Sequence, residues 1–137
     1  MAFVDQLHIR GALEQILAGS ERDRLVQKLG SWMESILFSN IKVDLPGHVK
    51  PNRIVWNATQ HGHEPDATAY HLLKQYVFEV ETADSLGDQH THEQYRLFAA
   101  YSRDSFAEFT LVVPNGYGVV ARSQLFRWHP SATVLEI

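Results

Sequence analysis

The sequence predicts a mixed α/β domain with helices packed on a small mixed β-sheet. Three observations carry this. Leu25, Val26, Leu29, Trp32, Met33, Ile36 and Leu37 form one apolar stripe at helical spacing. Residues 76–82 (Tyr-Val-Phe-Glu-Val-Glu-Thr) alternate and are rich in β-formers. Residues 109–113 (Phe-Thr-Leu-Val-Val), stopped by Pro114, read as an interior strand covered on both faces. Along the chain the order is helix, helix, strand, strand, strand, helix, strand, helix, strand.

Residues 2–18 form the first helix, with Ile9, Leu13, Ile16 and Leu17 on one side. Gly11 interrupts it and Gly19 serves as its C-terminal cap. Ser20 opens the second and stronger helix. It stands three residues before Asp23, close to a capping box, with Glu21 in the first turn. Asn40 ends that helix. Residues 42–52 hold Pro46, Gly47 and Pro51 and read as loop with room for a short edge strand. Residues 53–57 form a short strand and 60–65 a polar turn. Residues 66–73 and 76–82 make a hairpin turning at Lys74-Gln75. A loop at 83–88 leads to a helix over 89–102 with Leu97, Phe98 and Tyr101 on one face. Residues 115–118 (Asn-Gly-Tyr-Gly) turn into a helix at 119–128, and 132–137 supply a last strand. One domain results: a helical extension (1–19), a core (20–114), and a C-terminal helix and strand (115–137).

The 137 residues are 45% hydrophobic and 20% charged, which excludes a disordered tail, collagen and a coiled-coil rod. No apolar run reaches the roughly 18–20 residues of a membrane span. Residues 1–10 carry Asp5 and no basic region ahead of an apolar block, so no signal peptide is expected. With no cysteine, disulfides, thiolate zinc sites, iron–sulfur clusters and Cys nucleophiles are excluded, and a cytoplasmic location is expected. The net charge of −4 argues against bulk attraction to nucleic acid or anionic membrane. Nucleic-acid contact would need a local basic patch or a metal ion, and Arg53, Arg96, Arg103, Arg122 and Arg127 are scattered along the chain.

Side chains alternate along a strand. In 76–82, Tyr76, Phe78 and Val80 point one way, and Val77, Glu79 and Glu81 the other. The predicted turn places Tyr70 opposite Glu79 and Thr68 opposite Glu81. Asp66 is then diagonal to Glu81 on the same face, roughly 7 Å away at the backbone. Two environments fit. Either Tyr76, Phe78 and Val80 form the core face and the acids face water, or the acids are shielded. Close carboxylates repel and burial disfavours their charge, so a shielded cluster calls for a cation. A hard ion such as Mg²⁺ prefers such oxygen ligands. On the next helix His90, Gln94, Leu97, Phe98 and Tyr101 share a face. Gln94 then points inward, with an amide able to donate to a carboxylate or a phosphate.

Pro65-Asp66, twelve residues of hairpin, Glu79-Val80-Glu81 and then Gln94 on the following helix resemble the PD-(D/E)XK nuclease superfamily. The resemblance spans residues 20–114 and includes the element order helix, three strands, helix, strand. It implies a restriction-endonuclease-like αβββαβ core and metal-dependent hydrolysis of phosphodiester bonds in DNA or RNA. Asp66 and Glu79 match the metal-binding carboxylates, with the Val80 carbonyl beside them and Mg²⁺ or Mn²⁺ as the ion. Gln94 resembles the glutamine of exonuclease-like members. Where those members tend to carry tyrosine a turn later, this chain has Phe98, with Tyr95 and Tyr101 as neighbours. The departure is Glu81, where lysine is usual, although some restriction enzymes of the superfamily carry glutamate there. Glu81 would bind metal or act as general base toward water. The positive charge must then come from elsewhere, with Lys74 and Arg96 as candidates. Glu34, the candidate for an acidic residue on the first helix, lies well off the apolar stripe.

Two other readings stay open. The Glu81 departure and the negative net charge fit a nuclease-fold binding or scaffold module without catalysis. The histidines suggest a transition-metal site. His61 and His63 precede the first hairpin strand, and His90 and His92 follow the second, so antiparallel pairing brings both pairs to one sheet edge. Four imidazoles near Asp66 would suit Zn²⁺, Ni²⁺ or Mn²⁺. Their other reading is as solvent-exposed loop residues. A homodimer or a partner-bound form is expected, because one small domain offers little surface to clamp a duplex.

Overall fold

Leu25, Val26, Leu29 and Met33 are buried along one side of α1 (Gln6–Ser35). The computed structural model describes the backbone of residues 6–137 apart from 57, 88 and 129–131. It describes side chains from residue 21 on, apart from 57, 88–90 and 127–131. The two predicted N-terminal helices are one, running through Gly19 and Ser20 without a break. A lone glycine costs a helix only about 1 kcal/mol relative to alanine. Thirty residues of continuous hydrogen bonding override the local cap signals. The helix also stops earlier than predicted. Leu37 adopts φ 65°, the Phe38 N–H donates to the Met33 carbonyl (3.0 Å), and the Leu37 N–H donates to that of Glu34 (3.2 Å). This is a Schellman ending with leucine where glycine is usual. It leaves Ile36 and Leu37 exposed and turns Phe38 back onto the core.

The remaining elements are β1 (Ser39–Val43), β2 (Ile54–Val55), β3 (Gly62–His63), β4 (Ala67–His71), β5 (Lys74–Val80), α2 (Gln89–Asp104), β6 (Glu108–Val113), α3 (Gly118–Trp128) and β7 (Thr133–Glu136). The fold is mixed α/β, as predicted. Five strands form one sheet in the order β1-β4-β5-β6-β7, and β2 pairs with β3 in a separate ribbon. β1, β4 and β5 pair antiparallel, whereas β5, β6 and β7 run parallel and are joined through α2 and α3.

Helices cover both sheet faces. Phe78, Val80, Ala67, Ala69 and Val112 pack under α1. Val77, Phe109, Leu111 and Val113 pack under Tyr95, Leu97 and Phe98 of α2 and Ala121 and Leu125 of α3. β6 is buried on both faces, which is why its sequence is continuously apolar. The Glu136 carboxylate accepts from the N–H groups of Gly116 (3.0 Å) and Gly118 (2.9 Å), closing the start of α3 with an anion. Among the described residues no helix is long and apolar enough to cross a membrane.

The hairpin turns at Leu72-Leu73, not at Lys74-Gln75. Leu72 and Leu73 have φ of 50° and 68° and are exposed. Two positive φ values in a two-residue loop define a type I′ turn, for which Asn-Gly is favoured. Two leucines carry no such signal, which explains the misplaced turn. Replacing Leu72-Leu73 with Asn-Gly relieves two left-handed leucines and should stabilise the protein by about 1–2 kcal/mol. The check is a higher urea midpoint with an unchanged denaturant slope.

Candidate active site

β5 is the strand at which the sheet changes from antiparallel to parallel, and its carboxyl end is where the acids meet. Asp66 lies just ahead of β4. Its N–H donates to the Phe78 carbonyl (3.1 Å), and its Oδ2 accepts from the Val80 N–H (2.7 Å). The Asp44 N–H, just past β1, donates to the Asp66 carbonyl (2.9 Å). Asp66 is therefore fixed by backbone from both neighbouring strands.

The observed register pairs Ala67 with Phe78, Thr68 with Val77 and Tyr70 with Gln75. Asp66 thus comes level with Glu79, closer than the predicted diagonal to Glu81. Moving the turn by two residues changes the cross-strand register by four, so Tyr70 faces Gln75 in place of Glu79. An even slip leaves every side chain on its predicted face. The acids do not face water: Asp66, Glu79 and Glu81 are 7%, 6% and 4% exposed. On the other side of Glu79 the register partner is Leu111, fully buried.

Burial drives the Glu79 carboxyl well above its ordinary titration range, and the charge of Asp66, a hydrogen bond with Asp66 and the charge of Glu81 push the same way. Its Oε2 is buried and has no hydrogen-bond partner. Asp66 is compensated by Arg22 of α1, whose Nη2 bonds to Asp66 Oδ1 and to Asp44 Oδ2 (3.1 Å). Nη1 of the same group donates to the Asp44 carbonyl (3.0 Å). Burial opposes the Arg22 charge, but Asp66, Asp23 and Asp44 outweigh it and raise its pKa. Glu81 Oε2 accepts a hydrogen bond from the Ser85 hydroxyl. The Tyr95 hydroxyl, on α2, is directed at Glu81 without full hydrogen-bond geometry; burial first, then Glu81, raises its pKa.

The other predicted residues sit as follows. Gln94 is half-buried, and its amide meets His63 Nδ1 at 3.4 Å. The α2 side chain directed at the acids is that of Tyr95, one residue on. The Val80 N–H serves Asp66. His61 is exposed, His63 is in the β2–β3 ribbon, and the His92 ring stands edge-on to Tyr95. The His90 side chain lies outside the described residues. Among the described residues no three His, Cys, Asp or Glu side chains are grouped so as to hold a metal ion. Lys74 pairs with Glu108 (3.4 Å), at the opposite end of β5, and Arg96 and Glu34 are exposed. The cation at the acids is instead Arg22. It belongs to the helix that carries the apolar stripe, but no motif spacing links it to Asp66. Ser85 had a local signal: Thr82-x-x-Ser85 forms a reciprocal turn, with each backbone N–H donating to the other's hydroxyl (2.9 and 3.2 Å). No protein family, no curated protein and no solved structure matches this chain.

Two outcomes follow from these charges. The folded state holds the Glu79 proton that the unfolded chain releases near 4.5. Its contribution is greatest below that pH and is lost as pH rises toward the folded-state value. Glu79→Gln should therefore be more stable than wild type at pH 8 and lose this decline, as thermal unfolding across pH 4–9 would show. Arg22→Met leaves Asp66 without its cation. Breaking a fully buried pair costs about 3–5 kcal/mol; with Arg22 27% exposed, we expect roughly 2 kcal/mol by urea unfolding, mostly recovered by adding Asp66→Asn.

Proposed function

We propose that the chain is a metal-dependent nuclease with a restriction-endonuclease-like core, hydrolysing phosphodiester bonds in DNA or RNA. The observation that carries this reading is the buried pair Asp66 and Glu79, with Glu79 Oε2 left without a partner. Buried acids with strongly shifted titration are more frequent at functional sites than in structural cores. The element order α1-β1-β4-β5-α2-β6 and the strand order β1-β4-β5-β6 support an αβββαβ core, but its first strand is β1 and not the strand predicted at 53–57, which contributes only β2 of the separate β2–β3 ribbon.

The donors suit a hard ion. Two carboxylates and the Val80 carbonyl are all oxygen, and Mg²⁺ commonly takes only one or two carboxylates from protein, with water and substrate phosphate completing its shell. Asp66, Glu79 and the Val80 carbonyl would hold Mg²⁺ or Mn²⁺, with Arg22 sharing Asp66. Bound there, the ion would polarise the phosphoryl oxygen and acidify its water. Glu81, whose Oε2 is oriented by the Ser85 hydroxyl, would accept the proton of the attacking water. Arg22 supplies the positive charge that lysine would otherwise bring, and its planar fork suits a phosphate as well as a carboxylate. The Gln94 amide donates to phosphate once it leaves His63.

A second reading, a nuclease-fold binding module without catalysis, is favoured by one contact: Arg22 already covers Asp66 Oδ1. Metal dependence separates the two. On the nuclease reading, Asp66→Asn and Glu79→Gln each reduce Mg²⁺-dependent cleavage of plasmid and single-stranded DNA at least about 100-fold. Mn²⁺ at about 100 times its Kd stabilises wild type by roughly 2.7 kcal/mol and leaves Glu79→Gln unmoved. Absent cleavage together with no Mn²⁺-induced rise in melting temperature supports the binding module.

A further inference from the structure

We propose that the cleft between the β2 segment and the C-terminal half of α2 binds an unpaired nucleic-acid strand by stacking its bases. This deepens the nuclease reading and rests on it for the direction in which the strand runs. The cleft has a volume of about 530 Å³, inside the range of roughly 300–1,000 Å³ typical of ligand sites. Its floor lies on β1, β4 and β5, on the sheet face that also carries Glu79. Lys42 and Tyr70 rise from that floor, Arg53 and Trp56 form one wall, and Tyr101 and Asp104 form the other.

Charge is the first argument. The chain has sixteen acids and twelve basic residues, yet this cleft presents two cations and one acid. Aromatic exposure is the second. Trp56 and Tyr70, which both line the cleft, are 36% and 37% exposed. Rings interleaved with cations are how sequence-tolerant single-strand sites work, since every base offers a π-face. In a duplex those faces are covered by neighbouring base pairs, so only an unpaired strand can use such rings.

Position is the third argument. Thr68 lies on the cleft floor, and Asp66 is two residues away along the same strand, about 7 Å. A strand stacked in the cleft and following β4 brings its next phosphates to the acids. Arg53 spends one N–H on the Gly62 carbonyl (3.3 Å), leaving the rest of the guanidinium for the ligand, while Tyr101 packs on the core and donates its hydroxyl to Gln75 (2.8 Å) in the cleft wall.

The test is fluorescence anisotropy of a labelled single-stranded DNA oligonucleotide in EDTA, where metal-dependent hydrolysis is off, against a duplex of the same sequence. Wild type should prefer the single strand. Trp56→Ala should weaken binding about 5- to 150-fold, and Trp56→Phe should restore most of it. Lys42→Gln with Arg53→Gln should reduce the slope of log affinity against log salt by about 1.4. Unchanged affinity in Trp56→Ala, equal duplex binding, or a mononucleotide competing as well as the oligonucleotide overturns the proposal. If these variants behave as expected while Glu79→Gln leaves cleavage intact, the cleft stands and the catalytic assignment falls. If Glu79→Gln abolishes cleavage and Trp56→Ala binds normally, the cleft alone falls.

Discussion

Glu79 is a carboxyl group held between a carboxylate and a leucine, and the carboxyl end of β5 is arranged around it. Asp66 on one side is oriented by the Val80 N–H and neutralised by Arg22. Leu111 on the other side offers no polar contact. Ionising Glu79 there would put a second buried negative charge beside the first, with the guanidinium already committed to Asp66 and Asp44. Such a group stays protonated unless another cation arrives. Burial and Asp66 thus favour the protonated form of Glu79, and added positive charge would favour the ionised one. That coupling between proton and cation is the physical content of the proposed metal site.

The fold delivers this arrangement because β5 belongs to two architectures at once. Antiparallel pairing with β4 sets Asp66 beside it, and parallel pairing with β6 sets Leu111 on its other flank. The crossover through α2 covers the Glu79 face, and α1 covers the opposite face. The acids gather at the carboxyl end of β5, where the pairing changes from antiparallel to parallel. Here the helices come from different layers, so the site exists only when both are docked. Leu25, Val26, Leu29 and Met33 fix the position of α1, and Arg22 lies one turn from Leu25 and Val26. Core packing on the α1 face therefore sets the charge balance around Asp66 and Glu79.

Much of this was legible in the residues, for reasons that can be named. The alternation in 76–82 put Val77, Glu79 and Glu81 on one face, and no even slip could undo that. β6 declared itself by continuous apolarity, and the helix at 89 by the face that Leu97, Phe98 and Tyr101 share. The turn position was not legible, because Leu72-Leu73 adopts backbone angles that favour Asn-Gly. Neither was the end of α1, where Leu37 stands in a glycine position. Burial of the acids could not be read from period-two alternation, which is the same for a wet face and for one covered by a helix. Gln94 was placed by counting along an ideal helix. Its amide meets His63 of the β2–β3 ribbon, and its neighbour Tyr95 is directed at Glu81.

The origin of the positive charge separates this site from the pattern it resembles. A lysine two residues after Glu79 would stand on the same strand and face, held by the sheet itself. Glu81 takes that position and turns to Ser85, a contact closed within one loop. Arg22 instead approaches Asp66 from α1, across 44 residues of chain. It also bonds Asp44 through both the backbone carbonyl and the side chain. Only a guanidinium presents enough donors in one plane for that set of acceptors; an ammonium on the same stem is a point charge with three donors. The cation at Asp66 therefore belongs to a neighbouring layer and not to β5, and charge compensation depends on the docking of α1.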